Sequence, residues 1–282
     1  MTAELFDPRA CELGEGPLWH PVRKQFFWFD IIGKKLLSRV GGTELEWQFD
    51  EYVSAAGWIN DAELLIASET CLSRFNVDTG AREQLIALEA DNAITRSNDG
   101  RADPWGGFWI GTMGKSAQPS AGAIYRFYQG ELVKLYPGIT IPNAICFAPD
   151  RSCAYFADTV DGRIMRQKLD QDGWPAGEPT ILVDLRDEQL NPDGAVVDAE
   201  GYLWNAQWGA SRVARYAPSG EFDLAVSLPA QHTSCPAFGG AERSTLYVTT
   251  ALEGIEEPSD AEGKVYTVDT QFTGQAEYQI LL

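Results

Sequence analysis

Gly194-Ala195-Val196-Val197-Asp198, Tyr202-Leu203-Trp204-Asn205-Ala206-Gln207, Arg212-Val213-Ala214-Arg215-Tyr216 and Phe222 to Leu228 read as four short strands in succession. The turn Ala199-Glu200-Gly201 joins the first two, and Ser219-Gly220 separates the last two. β-Branched and aromatic residues between turn-forming Gly, Asp and Ser are what antiparallel hairpins need. The second strand of this phrase has five counterparts: Phe26-Phe27-Trp28-Phe29-Asp30, Leu64-Leu65-Ile66-Ala67-Ser68, Phe108-Trp109-Ile110-Gly111-Thr112, Ala154-Tyr155-Phe156-Ala157-Asp158 and Leu246-Tyr247-Val248-Thr249-Thr250. In chain order, the starts of the six are separated by 38, 44, 46, 48 and 44 residues. A period of roughly 40–50 residues made of short strands marks a β-propeller, in which no blade buries its faces alone.

Six such phrases fill the 282 residues. The expected architecture is all-β: a six-bladed β-propeller of four-stranded antiparallel blades around a central channel, in one domain spanning 1–282. Third strands recur too, as Lys35-Leu36-Leu37-Ser38-Arg39, Cys71-Leu72-Ser73-Arg74-Phe75, Ala123-Ile124-Tyr125-Arg126-Phe127 and Lys264-Val265-Tyr266-Thr267. Asp99-Gly100, Thr79-Gly80 and Ser219-Gly220 are read as turn pairs. Ring closure needs chain from both ends for one blade, and either residues 3–7 or 276–281 supply its outer strand.

The composition is 44% hydrophobic, with 9 Trp, 13 Phe and 10 Tyr, which suits flat strands packed face to face. A formal charge of −19, from 22 basic and 41 acidic residues, disfavours nucleic acid and anionic membrane as partners. No apolar run approaches the ~18 residues of a membrane span. The N-terminus Met-Thr-Ala-Glu-Leu-Phe-Asp-Pro-Arg lacks the pattern of a secretory signal. Five scattered Cys without a CxxC pair fit reduced, buried thiols, and the expected location is the cytoplasm.

Just ahead of the inner strands stand Glu15, Ala56, Asn98, Asn143, Asp193 and Cys235, which the rotational repeat brings to one end of the channel. Four of these carry polar oxygen and two are carboxylates. Such a ring suits a hard divalent cation, which prefers oxygen ligands. Spacing alone equally permits Glu15, Asn143 and Asp193 as solvent-facing turn caps, given the neighbouring Gly16, Gly194 and Pro17, Pro142, Pro192. Having only His20 and His232 argues against a His-rich zinc site, and His20 reads as structural. Arg96 can offer paired donors to a carboxylate or ester oxygen, and Asn98 can serve hydroxyls. Asp103-Pro104 reads as turn chemistry. No G-x-S-x-G, P-loop or dinucleotide fingerprint occurs.

Leu13-Gly14-Glu15-Gly16-Pro17-Leu18-Trp19, Arg96-Ser97-Asn98-Asp99-Gly100, Trp109-Ile110-Gly111-Thr112-Met113, Pro142-Asn143 and Pro192-Asp193-Gly194 together resemble the regucalcin/gluconolactonase-like (senescence-marker-protein) family. The resemblance runs in order over essentially the whole chain. It implies a six-bladed propeller that hydrolyses a sugar lactone, such as a glucono-, xylono- or arabinono-lactone, with one divalent cation (Ca²⁺, Zn²⁺, Mg²⁺, Mn²⁺ or Fe²⁺). Carried over, it assigns Glu15, Asn143 and Asp193 as metal ligands, Arg96 and Asn98 as substrate contacts, and Asp193 as general base. The chain departs from some members after Gly-Thr-Met, where Lys115-Ser116-Ala117-Gln118 replaces a lid-loop Glu. There Lys115 is either a solvated lysine or a partner for an anionic sugar substituent. Two rival readings keep the propeller: a metal-dependent aryl-esterase or phosphotriesterase, and a non-catalytic calcium-binding ring.

Overall fold

The computed structural model describes all residues, 1–282, as six four-stranded antiparallel sheets. Blade 1 comprises Gly14–His20, Gln25–Asp30, Lys35–Val40 and Thr43–Gln48. Blade 2 comprises Val53–Trp58, Glu63–Ser68, Cys71–Asn76 and Arg82–Ala87. Blade 3 follows with Thr95–Ala102, Phe108–Gly114, Gly122–Tyr128 and Glu131–Ile139. Blade 4 is Pro142–Phe147, Cys153–Asp158, Arg163–Lys168 and Thr180–Asp184, with one short 3₁₀ turn at Thr159–Asp161. Blade 5 is Asn191–Val197, Leu203–Trp208, Arg212–Tyr216 and Phe222–Ser227. Blade 6 takes His232–Gly239, Thr245–Ala251 and Val265–Asp269, and its outermost strand is Ala3–Asp7 from the start of the chain. No helix is long and apolar enough to cross a membrane.

Of the two segments that might have closed the ring, residues 3–7 do so, with Ala3 opposite Val268 and Leu5 opposite Tyr266. Residues 276–281 do something else. The stretch from Thr273 onward crosses the far end of the channel, where Gln275 Nε2 donates to the carbonyls of Phe147 and Val197. Glu277 pairs with Arg101 at 2.8 Å, the Trp58 indole donates to the Glu277 carbonyl, and Ile280 packs among the side chains between blades 2 and 3.

The apolar residues sit between neighbouring blades. One such layer joins Phe27, Phe29 and Leu36 of blade 1 to Leu64, Ile66 and Phe75 of blade 2. Burying a side chain of this size contributes about 1.5–3 kcal/mol, so closure of the ring stabilises every blade at once. Polar locks tie the outer strands. Asp103 accepts from the N–H groups of Trp105 and Gly107, the turn role expected of it. Its second oxygen meets Arg126 Nε at 2.7 Å, both side chains fully buried, and the guanidinium lies 4.4 Å from the rings of both Tyr128 and Trp174. Removing one partner of such a pair strands the other charge, so Asp103→Ala is expected to cost about 3–5 kcal/mol. Chemical denaturation measures it; a loss below about 1 kcal/mol would show that the lock is idle.

Asp99-Gly100 is not a turn. Both residues lie inside the inner strand of blade 3, and the buried Asp99 carboxylate accepts the Ile145 N–H of blade 4 at 2.7 Å. An Asp-Gly pair belongs to hairpins only where the chain reverses, and here the reversal comes later, at Asp103.

Candidate active site

The inner strands enter the channel irregularly. Pairing with the second strand slips by one residue in every blade, leaving two inner-strand residues unpaired at Gly16-Pro17, Asn98-Asp99, Ala144-Ile145 and Asp193-Gly194, and one at Ser54 and Ser234. Unpaired residues of this kind bend a strand and re-aim its side chains. Glu15, Asn98, Asn143 and Asp193 all stand at or beside these slips, in strands rather than in turns. They are 4%, 5%, 2% and 5% exposed, so none is a solvent-facing cap. In blades 2 and 6 the re-aimed residues are Ser54 and Ser234, not Ala56 and Cys235, because there a single residue stands unpaired. Ser54 bonds Ser97 at 2.8 Å, and Ser234 donates to the Gly14 carbonyl, so both serines knit the ring.

One cavity of about 410 Å³ opens at this end of the channel. Glu15, Arg96, Asn98, Asn143 and Asp193 all line it, together with Lys115, Thr159, Trp208 and Glu253. The lining comes from the inner-strand starts and from the loops that follow each second strand, since those strands run back toward this mouth.

Hydrogen bonds fix the amides. Thr159 Oγ1 donates to the Pro192 carbonyl at 2.8 Å, so it must accept from Asn143 Nδ2, also at 2.8 Å. This chain ties blade 4 to the residue before Asp193 and turns Asn143 Oδ1 inward. Asn98 Nδ2 spends its two hydrogens on the Pro142 carbonyl at 3.0 Å and on Asn143 Oδ1 at 3.3 Å. Its Oδ1 accepts from Arg96 Nη1 at 2.8 Å, leaving Asn98 able to accept one further bond but to donate none. Behind Asp193, Asn205 Nδ2 donates to the carbonyls of Asp193 and Gly194.

The electrostatics are strained. Glu15 is raised above its usual range, first by burial and then by the charge of Asp99. Asp193 is raised well above its own, first by burial and then by Glu15. Burial pushes Asp99 to about 6 against the Ile145 N–H, which lowers it. Glu15 has only the Gly16 N–H as a hydrogen-bond partner, and neither Glu15 nor Asp193 joins an ion pair. Two buried carboxyls that repel each other, beside an inward amide oxygen, form a donor set suited to a hard divalent cation. No three His, Cys, Asp or Glu side chains cluster as a metal site in the chain, and a cation held here would need an oxygen beyond the two carboxyls, which the Asn143 amide could offer.

Lys115 is exposed, as a solvated loop lysine is, but it is not free. Its ammonium pairs with Glu69, donates to the Ala93 carbonyl at 2.9 Å, and lies 5.8 Å from the Tyr52 ring. His20 is structural as expected, its Nε2 bonded to the Asn60 carbonyl at 2.8 Å. Thr159, Trp208 and Glu253 were not singled out from sequence. The signal for them was position: each ends, or closely follows, the second strand of its blade, as Lys115 does.

The profile of the family described as "SMP-30/Gluconolactonase/LRE-like region" matches residues 13–252. A chain from Rhizobium meliloti (strain 1021) named "Putative sugar lactone lactonase" is 40% identical, covering 98% of this chain and 96% of its own. The L-arabinolactonase of Azospirillum brasilense is 34% identical, covering 97% and 94%. A crystal structure from Agrobacterium tumefaciens str. C58, titled as a calcium-binding protein, regucalcin, superposes with a TM-score of 0.95 at 36% identity, covering 99% and 97%.

Proposed function

This chain belongs to the SMP-30/gluconolactonase/LRE-like family, and on that premise we propose that it hydrolyses a sugar lactone to the open-chain sugar acid. The observation that carries the reading is the meeting of Glu15, Asn143, Asp193 and Arg96 in one polar cavity. Glu15, Asn143 and Asp193 are the residues that would hold a divalent cation. When bound, such an ion supplies Lewis-acid polarisation of the lactone carbonyl, worth several kcal/mol. A neighbouring positive charge also returns Asp193 to its carboxylate form.

The chain's own residues do the rest. Asp193 accepts a proton from the water that attacks the carbonyl carbon, a contribution of roughly 10²–10⁴-fold. The ring C–O bond then breaks, and the proton passes to the departing ring oxygen. Arg96 keeps N–H groups beyond those given to Ser97 and Asn98, and these orient the substrate's oxygens. Asn98 accepts from one hydroxyl. Five buried, unpaired thiols suit a reducing compartment, so the cytoplasm is the proposed location.

The deciding experiment is hydrolysis of a panel of neutral aldonolactones, followed by proton release, with and without divalent cation. Cation-dependent opening of at least one lactone is expected; turnover of aryl or phosphate esters alone would replace this reading with the esterase one. A second test addresses the amide chain. Thr159→Val keeps the shape but frees Asn143 Nδ2, and is expected to weaken cation affinity about 10–100-fold. Isothermal titration with the cation measures it, and unchanged affinity would remove Thr159 from the site.

A further inference from the structure

The part of the cavity wall that ends or follows the second strands of blades 5 and 6 is not used by the chemistry above. Trp208 lines it at the end of the second strand of blade 5. One face of the indole is backed by His232, with ring centroids 4.1 Å apart and planes inclined by 23°. His232 Nδ1 in turn bonds the Glu253 carbonyl at 2.9 Å, and the Glu253 N–H donates to the Glu12 carbonyl at 2.9 Å. The backbone of Glu253 is thus pinned on both sides. Its half-buried side chain lines the cavity, and its carboxylate has neither a hydrogen-bond partner nor an ion pair.

The cavity's remaining charges give that carboxylate its meaning. Lys115 is already neutralised by Glu69. Glu15 and Asp193 are the pair that a cation would satisfy. Arg96 remains; burial lowers it below its usual range, and among the charges that oppose this Glu253 is the strongest. Arg96 already donates to Ser97 and Asn98, so the wall itself meets an acidic substituent with an unpaired carboxylate.

Resting on the lactonase reading, we propose that Trp208 and Glu253 form the wall that selects neutral polyhydroxy lactones over lactones bearing an acidic group. Sugar rings present C–H-rich faces that pack on aromatic surfaces, and a rigidly backed indole offers one without further ordering. A carboxylate accepts hydrogen bonds from two hydroxyls, whereas an anionic substituent in the same place meets like-charge repulsion in a partly desolvated pocket. Discrimination then comes from repulsion of the wrong ligand as much as attraction of the right one.

The test compares kcat/KM for a neutral aldonolactone with that for an aldarolactone carrying a free carboxylate, using cation-loaded protein. The wild type is expected to favour the neutral substrate by at least about 100-fold. Glu253→Gln is expected to cut that ratio about 10-fold, and Glu253→Lys about 100-fold or more, mainly through KM. Trp208→Phe should raise KM for both substrates about 10-fold with kcat nearly unchanged. Thermal melts confirm that each variant is folded. A ratio within threefold of wild type in both Glu253 variants overturns the inference while leaving the lactonase reading intact. Failure of the wild type to open any lactone removes both, and is recognised before any variant is made.

Discussion

Replacing Asp193 by Asn is expected to reduce lactone turnover by at least about 10³-fold at saturating cation. The substitution keeps the shape of the side chain and its setting under Asn205, which holds the backbone carbonyls and not the carboxylate. On the proposed mechanism, what is lost is the proton acceptor, worth roughly 10²–10⁴-fold by itself, and one anionic oxygen of the proposed cation set. The two losses are separable. Titrating the variant with cation restores occupancy, so any deficit that persists at saturation belongs to proton transfer. Stopped-flow pH-indicator assays against the spontaneous background measure it, and a saturated rate within tenfold of wild type would take Asp193 out of the chemistry.

Stripping divalent ions with a chelator should abolish turnover and also leave a signature in stability that activity alone cannot give. In the cation-free protein Asp99 titrates at about 6, Glu15 is pushed up to about 8, and Asp193 is raised by burial and by Glu15. In the unfolded chain such groups release their protons near pH 4. Between those limits the folded state binds more protons than the unfolded state, so stability falls as pH rises. The contribution is complete below about pH 4 and is lost as the pH passes through 6 to 8, on the order of a few kcal/mol. Cation binding selects the deprotonated carboxylates and reverses the trend. At a concentration about 100-fold above Kd it stabilises by about 2.7 kcal/mol, or roughly 5–10 °C in Tm for a chain of this size. The gap between cation-loaded and chelated melts should therefore widen from pH 5 to pH 8. A constant gap, or full activity in a verified metal-free sample, contradicts the assignment.

The blade count was legible because aromatic second strands are buried on both faces and recur with little variation. Arg212–Tyr216 was placed to the residue, and the other strands of blade 5 within a few residues. The inner strands were harder. Their unpaired stretches are one or two residues long, so counting back from the aromatic strand lands on Ala56 and Cys235 where the structure uses Ser54 and Ser234. Asp99-Gly100 misled for a related reason: a bulged strand and a turn draw on the same small polar residues. The strand repeat brings Glu15, Asn98, Asn143 and Asp193 to one end of the channel and a polar run marks Arg96, while the roles expected of them came from the family resemblance. Thr159, Trp208 and Glu253 end or follow the second strands, a recurring position, but the residue types there differ from blade to blade, so the repeat did not single them out.

The chain that crosses beneath the ring, from Gln275 on the blade 4 and 5 carbonyls to Ile280 wedged between blades 2 and 3, makes the central passage a blind well. Reactant, water and sugar acid then share a single doorway. Each newly formed anion must leave by the way the next ring enters, so departure is ordered ahead of entry and the acid competes directly with its own precursor.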